Sequence, residues 1–241
     1  MGSAIAERDL NIPAPLRSLI PSRFLVRHLP AVASAAVLLT FDDGPDPEVT
    51  PAVLDRLEHY GVRAVFFVVG RRISQAPHVL REVLDRGHAI GNHSFQHYNG
   101  RQPSYKKYLA DLRRCQDAIH EACGVEARLF RPPLGRVTPT TLLAPWMIGL
   151  RTVTWSVDVQ DWRCREPEEA AELGLRLGRI ARGADIVLLH DDNRCVLDLL
   201  DVYLPTMVQR QADLHSGLPA LRAACGIESP TSTLAEPFRS N

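Results

Sequence analysis

The chain has no C-x-x-C pair, and its five cysteines, Cys115, Cys123, Cys164, Cys195 and Cys225, are odd in number and widely spaced. That argues against a cysteine zinc site and against a disulfide framework. Cys164 and Cys195 each follow a polar signature closely, so the two thiols are expected near each other, unpaired. Lysine is almost missing, with Lys106 and Lys107 the sole examples among 28 basic residues. The 28 acidic residues cancel the basic ones, so no net field draws the chain to nucleic acid or an anionic membrane, and neither is an expected partner. No apolar run is long enough to span a bilayer, since Ala31 to Phe41 falls well short. No charged start with an apolar stretch and a small-residue cleavage site is visible, so a cytoplasmic location is the expectation. Repeats and low-complexity tracts are also lacking.

The residues present suit one large domain, with 241 residues of which 45% are hydrophobic. Residues 1–30 carry four prolines and no sustained periodicity, and read as an extension packed on a domain covering 31–241. Within that domain, apolar strand candidates recur at 37–41, 64–69, 88–92, 127–131, 151–156, 185–190 and, weakly, 212–215. Helical patterns lie between them. Thr50 is positioned to cap the first, Pro77 and Ser104 open the next two, Pro167 another, and Val196 a last one interrupted by Pro205. Strand and helix alternating in this way predict right-handed βαβ units and a parallel sheet. About seven units predict an α/β fold of the distorted (β/α)7 barrel type, parallel strands inside and helices outside.

Polar signatures end five of the strand candidates: Thr40 to Pro45, His93 to His97, Arg131 to Gly135, Asp158 to Trp162 and Leu188 to His190. In a parallel barrel those strand ends carry the chemistry. His93 and His97 are four residues apart, so a helical turn would project both imidazoles from one side. The spacing alone is weak. The Asp42-Asp43 pair supplies the missing oxygen ligand, and two imidazoles with one carboxylate leave open positions, as at catalytic zinc. Such a site brings bound water to a pKa of roughly 7. Zinc is the first expectation, with Co2+ or Ni2+ also fitting. Adjacent aspartates diverge at a strand end, so one should bind the metal and the other take a proton. His190 closes an apolar strand and is a candidate acid, with Asp161 placed to hold it charged. Arg131, stiffened by two prolines, can hold Asp42 ionised. Backbone near Leu134 and Gly135 can direct an N–H at an oxyanion. Trp162 is either a flat wall for a sugar or acetyl group or ordinary core packing.

In this order the five signatures resemble the motifs of polysaccharide deacetylases with a NodB homology domain, carbohydrate esterase family 4, over about residues 35–195. The resemblance implies a distorted (β/α)7 barrel that removes N-acetyl groups from N-acetylglucosamine-containing poly- or oligosaccharides of the chitooligosaccharide or peptidoglycan type. It implies Asp42 as base, Asp43, His93 and His97 as metal ligands, Arg131 as the arginine positioning the base, and His190 as acid tuned by Asp161. Trp162 and Leu188 would line the acetyl pocket, and Leu134, where relatives often carry an aromatic residue, would offer its backbone N–H. An O-acetyl esterase acting on xylan and a silent carbohydrate-binding relative are the alternatives. The usual C-terminal strand is replaced by Ala212 to Gly217, so closure of the barrel there is open. Oligomeric state is not legible.

Overall fold

The computed structural model describes residues 12–98 and 103–227. Eight strands form one parallel sheet: β1 (Leu25–Val26), β2 (Leu38–Asp42), β3 (Val65–Val68), β4 (Ala89–Asn92), β5 (Leu129–Phe130), β6 (Arg151–Val153), β7 (Val157–Asp158) and β8 (Ile186–His190). Their order is β1-β6-β5-β4-β3-β2-β8-β7. The helices are α1 (Ala14–Arg17), α2 (Val49–His59), α3 (Gly70–Ile73), α4 (Pro77–Asp85), α5 (Tyr105–Cys123), α6 (Pro139–Met147), α7 (Pro167–Ile180), α8 (Cys195–Gln209) and α9 (Gly217–Cys225). Among the described residues no helix is long and apolar enough to cross a membrane.

The sheet curls into the expected distorted (β/α)7 barrel. β6 and β7 are two ends of one extended stretch, 151–158, which counts as a single position of the barrel. Thr154 donates its N–H to Val26 (2.8 Å), whereas Ser156 donates to Ile186 (3.0 Å), so the stretch leaves β1 and joins β8 within three residues. Just below, Leu29 donates to Ala184 (2.8 Å). The N-terminal extension therefore contributes a strand of its own, with Leu25 and Val26 buried and in register with Thr152 and Val153. Sequence patterning misses it because two residues carry no period.

Alternation along the strands assigns each side chain to a layer. Leu39 and Phe41 face the helices with Phe66, Val68, Val187 and Leu189, in the main apolar core. Leu38, Val65, Ala89, Leu129, Val153 and Ile186 face inward and are plugged from below by Leu218 and Leu221 of α9. Thr40 and Asp42 lie on the same inward side as Leu38, further toward the carboxyl end. The barrel is thus apolar at its base and polar at its mouth.

Several expectations are corrected. Residues 212–215 make no strand; Ala36 and Asp213 form an isolated bridge, with Val37 donating to the Asp213 carbonyl (2.8 Å). Closure there comes from α9, whose apolar face lies behind the polar Asp213-Leu214-His215 run. Thr50 does not cap α2. Asp46 Oδ1 accepts the N–H groups of Glu48 and Val49 (both 2.9 Å), and Thr50 lies within the first turn. α8 continues through Pro205.

Candidate active site

Asp42 ends β2, and Asp43, one residue on, adopts a left-handed conformation (φ 74°). Both carboxylates approach His93, and each has a further partner of its own. Asp42 Oδ1 accepts from Arg131 Nη1 (2.8 Å), and its Oδ2 lies 3.6 Å from His93 Nε2. Asp43 Oδ1 lies 3.6 Å from His93 Nε2 and 3.1 Å from His97 Nε2.

His93 and His97 do not share a helical turn. His93 follows β4, and residues 94–97 form an irregular loop with Ser94 and His97 in the left-handed region (φ 65° and 49°). Side chains fix that loop. Asn92 Oδ1 accepts the Ser94 N–H (2.8 Å), Ser94 Oγ accepts the His97 N–H (3.1 Å), and buried Asp111 on α5 accepts from Phe95 and Gln96 (2.9 and 3.2 Å). Burial raises the Asp111 carboxyl even though these N–H donors and Arg114 pull the other way.

The three ligand candidates Asp43, His93 and His97 offer donor atoms that all lie within 4.8 Å of one another. Two details test whether a cation fits. His93 Nδ1 faces the Arg131 carbonyl at 2.8 Å, so Nδ1 carries the proton and Nε2 keeps its lone pair toward Asp43. Asp43 Oδ1 is buried with no hydrogen-bond partner among the described residues. Burial also pushes the His93 pKa down, more than Asp42 and Asp43 pull it up, which keeps the ring neutral. For Asp43 burial acts upward, but His93, His97, His190 and Arg72 together hold its carboxyl below the ordinary range. A carboxylate oxygen, the His93 lone pair and the His97 imidazole converging on one point suit a divalent cation.

Arg131 is fully buried. Besides Asp42, its guanidinium donates to Thr40 Oγ1 (2.7 Å) and to the carbonyls of Val153 (3.3 Å) and Thr154 (3.2 Å), and it stacks on Phe67 at 4.2 Å. Thr40 in turn donates to the Val187 carbonyl (2.6 Å), knitting β2 to β8 beneath the site. Across the mouth, Asp161 is buried and accepts twice from one residue: Oδ1 from His190 Nδ1 (2.9 Å) and Oδ2 from the His190 N–H (2.8 Å). Burial disfavours a charged His190, yet the Asp161 hydrogen bond and charge, with Asp42 and Asp43, outweigh it and raise the imidazole to about 9.

Asp42, Asp43, His93, His97 and His190 line a cavity of about 510 Å³ with Leu134, Trp155, Trp162 and Leu188 on its walls, and Arg131 and Asp161 lie behind Asp42 and His190. Trp162 is 46% exposed and is no core residue; Arg163 lies over its ring at 4.6 Å. Leu188 is buried on the inward side of β8. Leu134 is half-exposed on the cavity wall, in the turn 133–135, with φ 59°. All ten residues singled out from the sequence thus lie in or directly against one cavity.

The sequence profile of the polysaccharide deacetylases matches residues 31–153. A chitooligosaccharide deacetylase of Azorhizobium caulinodans is 37% identical over 197 residues, 78% of this chain and 89% of that one. The chain belongs to the polysaccharide deacetylase family. The peptidoglycan-N-acetylglucosamine deacetylase PgdA of Listeria monocytogenes is 34% identical over 189 residues, covering 77% of this chain. This chain spans only 39% of that relative's length. In three dimensions, the peptidoglycan deacetylase PdaC of Bacillus subtilis superposes with a TM-score of 0.70 at 28% identity, over 79% of this chain and 93% of that one.

In this member of the family, sequence reasoning passes over several supporting residues. Asp111 is the most legible, an acid on the apolar face of α5 beside Leu112 and Cys115, where the helical pattern calls for a hydrophobic residue. Asp191 is the second. It is buried, accepts from Gly44 (3.0 Å) and Thr50 Oγ1 (2.5 Å), and is raised to about 7, chiefly by burial, so that it ties the end of β8 to the loop after β2. Arg72 and Asp192 pair at 2.8 Å on the rim. Cys164 and Cys195 are buried free thiols in contact with each other, and burial followed by the Cys195 contact pushes Cys164 up to about 12.

Proposed function

We propose that this chain is a metal-dependent hydrolase that removes N-acetyl groups from N-acetylglucosamine-containing poly- or oligosaccharides. The observation that carries this reading is the pairing of two proton-handling groups across one cavity, Asp42 against Arg131 and His190 against Asp161, beside a three-donor cation site. Zinc is the cation this reading favours, held by Asp43, His93 and His97. When bound, such a cation supplies a nucleophilic water of pKa roughly 7 and polarises the acetamide carbonyl.

The protein's own residues do the rest. Arg131 holds Asp42 with a charge-assisted bond, which fixes the carboxylate as the base that takes a proton from the attacking water. Its second oxygen faces His93 and the cation site, where that water would lie. Amide cleavage requires a proton on the departing nitrogen. His190, charged at neutral pH through Asp161, is the group that gives it. Trp162 and Leu188 form the apolar wall for the methyl and sugar face, and the Leu134 backbone N–H serves the developing oxyanion.

The test is acetate release from chitin oligomers, peptidoglycan and acetylxylan, before and after chelation and with zinc restored. Release from the N-acetylated substrates that chelation abolishes and zinc restores is expected. Release from acetylxylan alone would make the protein an O-acetyl esterase, and no release from any substrate would refute hydrolysis.

A further inference from the structure

Asp43 offers its carboxylate from left-handed backbone (φ 74°), a conformation uncommon for a residue with a Cβ and kept only where the surroundings impose it. One residue imposes it. Peptide groups are planar, so fixing the two that flank a residue fixes its φ and ψ, and with them the direction in which its side chain leaves. The peptide before Asp43 carries the Asp42 carbonyl, which accepts the Asp191 N–H at 3.2 Å. The peptide after it carries the Gly44 N–H, which donates to Asp191 Oδ1 at 3.0 Å. Both flanks of Asp43 are therefore held by Asp191.

The remaining contacts of Asp191 serve the same segment. Its Oδ2 accepts from Thr50 Oγ1 at 2.5 Å, and that oxygen in turn accepts the Asp46 N–H at 2.9 Å. Asp191 is 1% exposed. A carboxyl is costly to bury unless hydrogen bonds meet it, and the bonds that meet this one come from the stretch that carries Asp43. Gly44 is matched to it. A Cβ there would come within 2.2 Å of Asp191 Oδ2, and no positive φ calls for glycine at this position. Asp191 also follows His190 directly, whose N–H donates to Asp161 Oδ2 at 2.8 Å. Two consecutive N–H groups at the end of β8 thus hold the partner of the acid and the turn of the ligand.

We propose that Asp191 is a positioning residue for the cation site: its side chain, as the acceptor for Gly44, sets the aim of Asp43, and Gly44 lacks a Cβ in order to admit it. This rests on the reading of Asp43 as a ligand. The role belongs to the acceptor oxygen and not to a charge, because an uncharged carbonyl would serve Gly44 as well.

Zinc affinity of the full chain in a chelator competition, with urea unfolding read alongside, tests the assignment. Asp191→Ala leaves the Gly44 N–H without its acceptor and should weaken zinc about 10-fold or more. Asp191→Asn keeps a carbonyl oxygen for Gly44 and should retain most of the native affinity. Gly44→Ala displaces the carboxyl and should weaken zinc as Asp191→Ala does, and the two together should cost little more than either, since they act on one contact. Leu218→Ala, at the other end of the barrel, gives the zinc affinity of a chain that is only destabilised. The visible absorption of the cobalt-loaded chain reads ligand geometry at saturation, and should change in Asp191→Ala but not in Asp191→Asn. An Asp191→Ala that loses no more zinc affinity than Leu218→Ala would overturn the proposal. So would an Asp191→Asn as weak as Asp191→Ala, since the charge would then be what matters. If Asp191→Ala does not fold, Gly44→Ala decides, and native zinc affinity there overturns the proposal. A native chain without zinc affinity would instead remove the cation site itself, and this proposal with it.

Discussion

Asp161→Asn isolates the control of His190. The native carboxylate accepts from the ring at 2.9 Å and from the His190 backbone N–H at 2.8 Å. An amide cannot do both: whichever way it is turned, its NH2 meets one of the two donors. Burial then acts on the imidazole with less opposition. The native ring is raised to about 9, so at pH 7 about 99% of it is charged. Without Asp161, burial is opposed only by Asp42 and Asp43, and a ring returned to its ordinary 6.5 is about a quarter charged at that pH. Charge state alone then costs about fourfold at pH 7, and lost orientation extends this toward about 10²-fold. The sign is fixed by the direction of the shift. The charged acid persists below the raised pKa and is lost as pH rises through it, so the native alkaline limb falls near 9 and that of the variant below about 7. Acetate release from chitin oligomers between about pH 5.5 and 10, with zinc saturating, reads both limbs. An alkaline limb that stays near 9 in Asp161→Asn would refute the assignment of His190 as the acid held by Asp161.

His93→Ala removes a neutral donor whose lone pair faces Asp43, and should abolish tight zinc binding in a chelator competition while leaving the far-UV spectrum intact. Arg131→Met leaves the buried Asp42 charge without its partner and should lower unfolding stability by about 3–5 kcal/mol, measured in urea. Asp111→Asn frees the 94–97 loop and should weaken zinc about 10-fold or more without touching a ligand, read by the same competition. Leu218→Ala opens the plug below the barrel and should cost about 2–5 kcal/mol in urea, with zinc affinity unchanged.

Much of the site is legible in the sequence because its groups cap apolar strands that announce themselves. Val37 to Phe41 and Asp185 to Leu189 are runs that only a strand buried on both faces explains, and the polar residue closing each run, Asp42 or His190, is set at the barrel's mouth. The loop of His93 and His97 reads as helical from its spacing, since four residues fit a helical turn and the real cause is distant. It needs Asp111 from α5 and left-handed backbone at Ser94, neither visible in the motif itself. Leu25 and Val26 are hidden for a different reason. A strand of two residues has no periodicity, and its partners Thr152 and Val153 are more than a hundred positions away. α9 escapes notice because Ala212 to Gly217 carries the polar signals of a turn, and the helix behind it acts through only two plug residues.

The stretch 151–158 has a consequence for what this fold tolerates. It is a bridge of fixed span: three residues carry the chain from one rim to the other, and Asp161 stands three places past its far abutment. One residue more or fewer at Thr154 to Ser156 would move Asp161 relative to His190, which the pairing of β2 with β8 keeps opposite Asp42. Insertions are thus better borne in the outer loops than here, where added length would part Asp161 from His190.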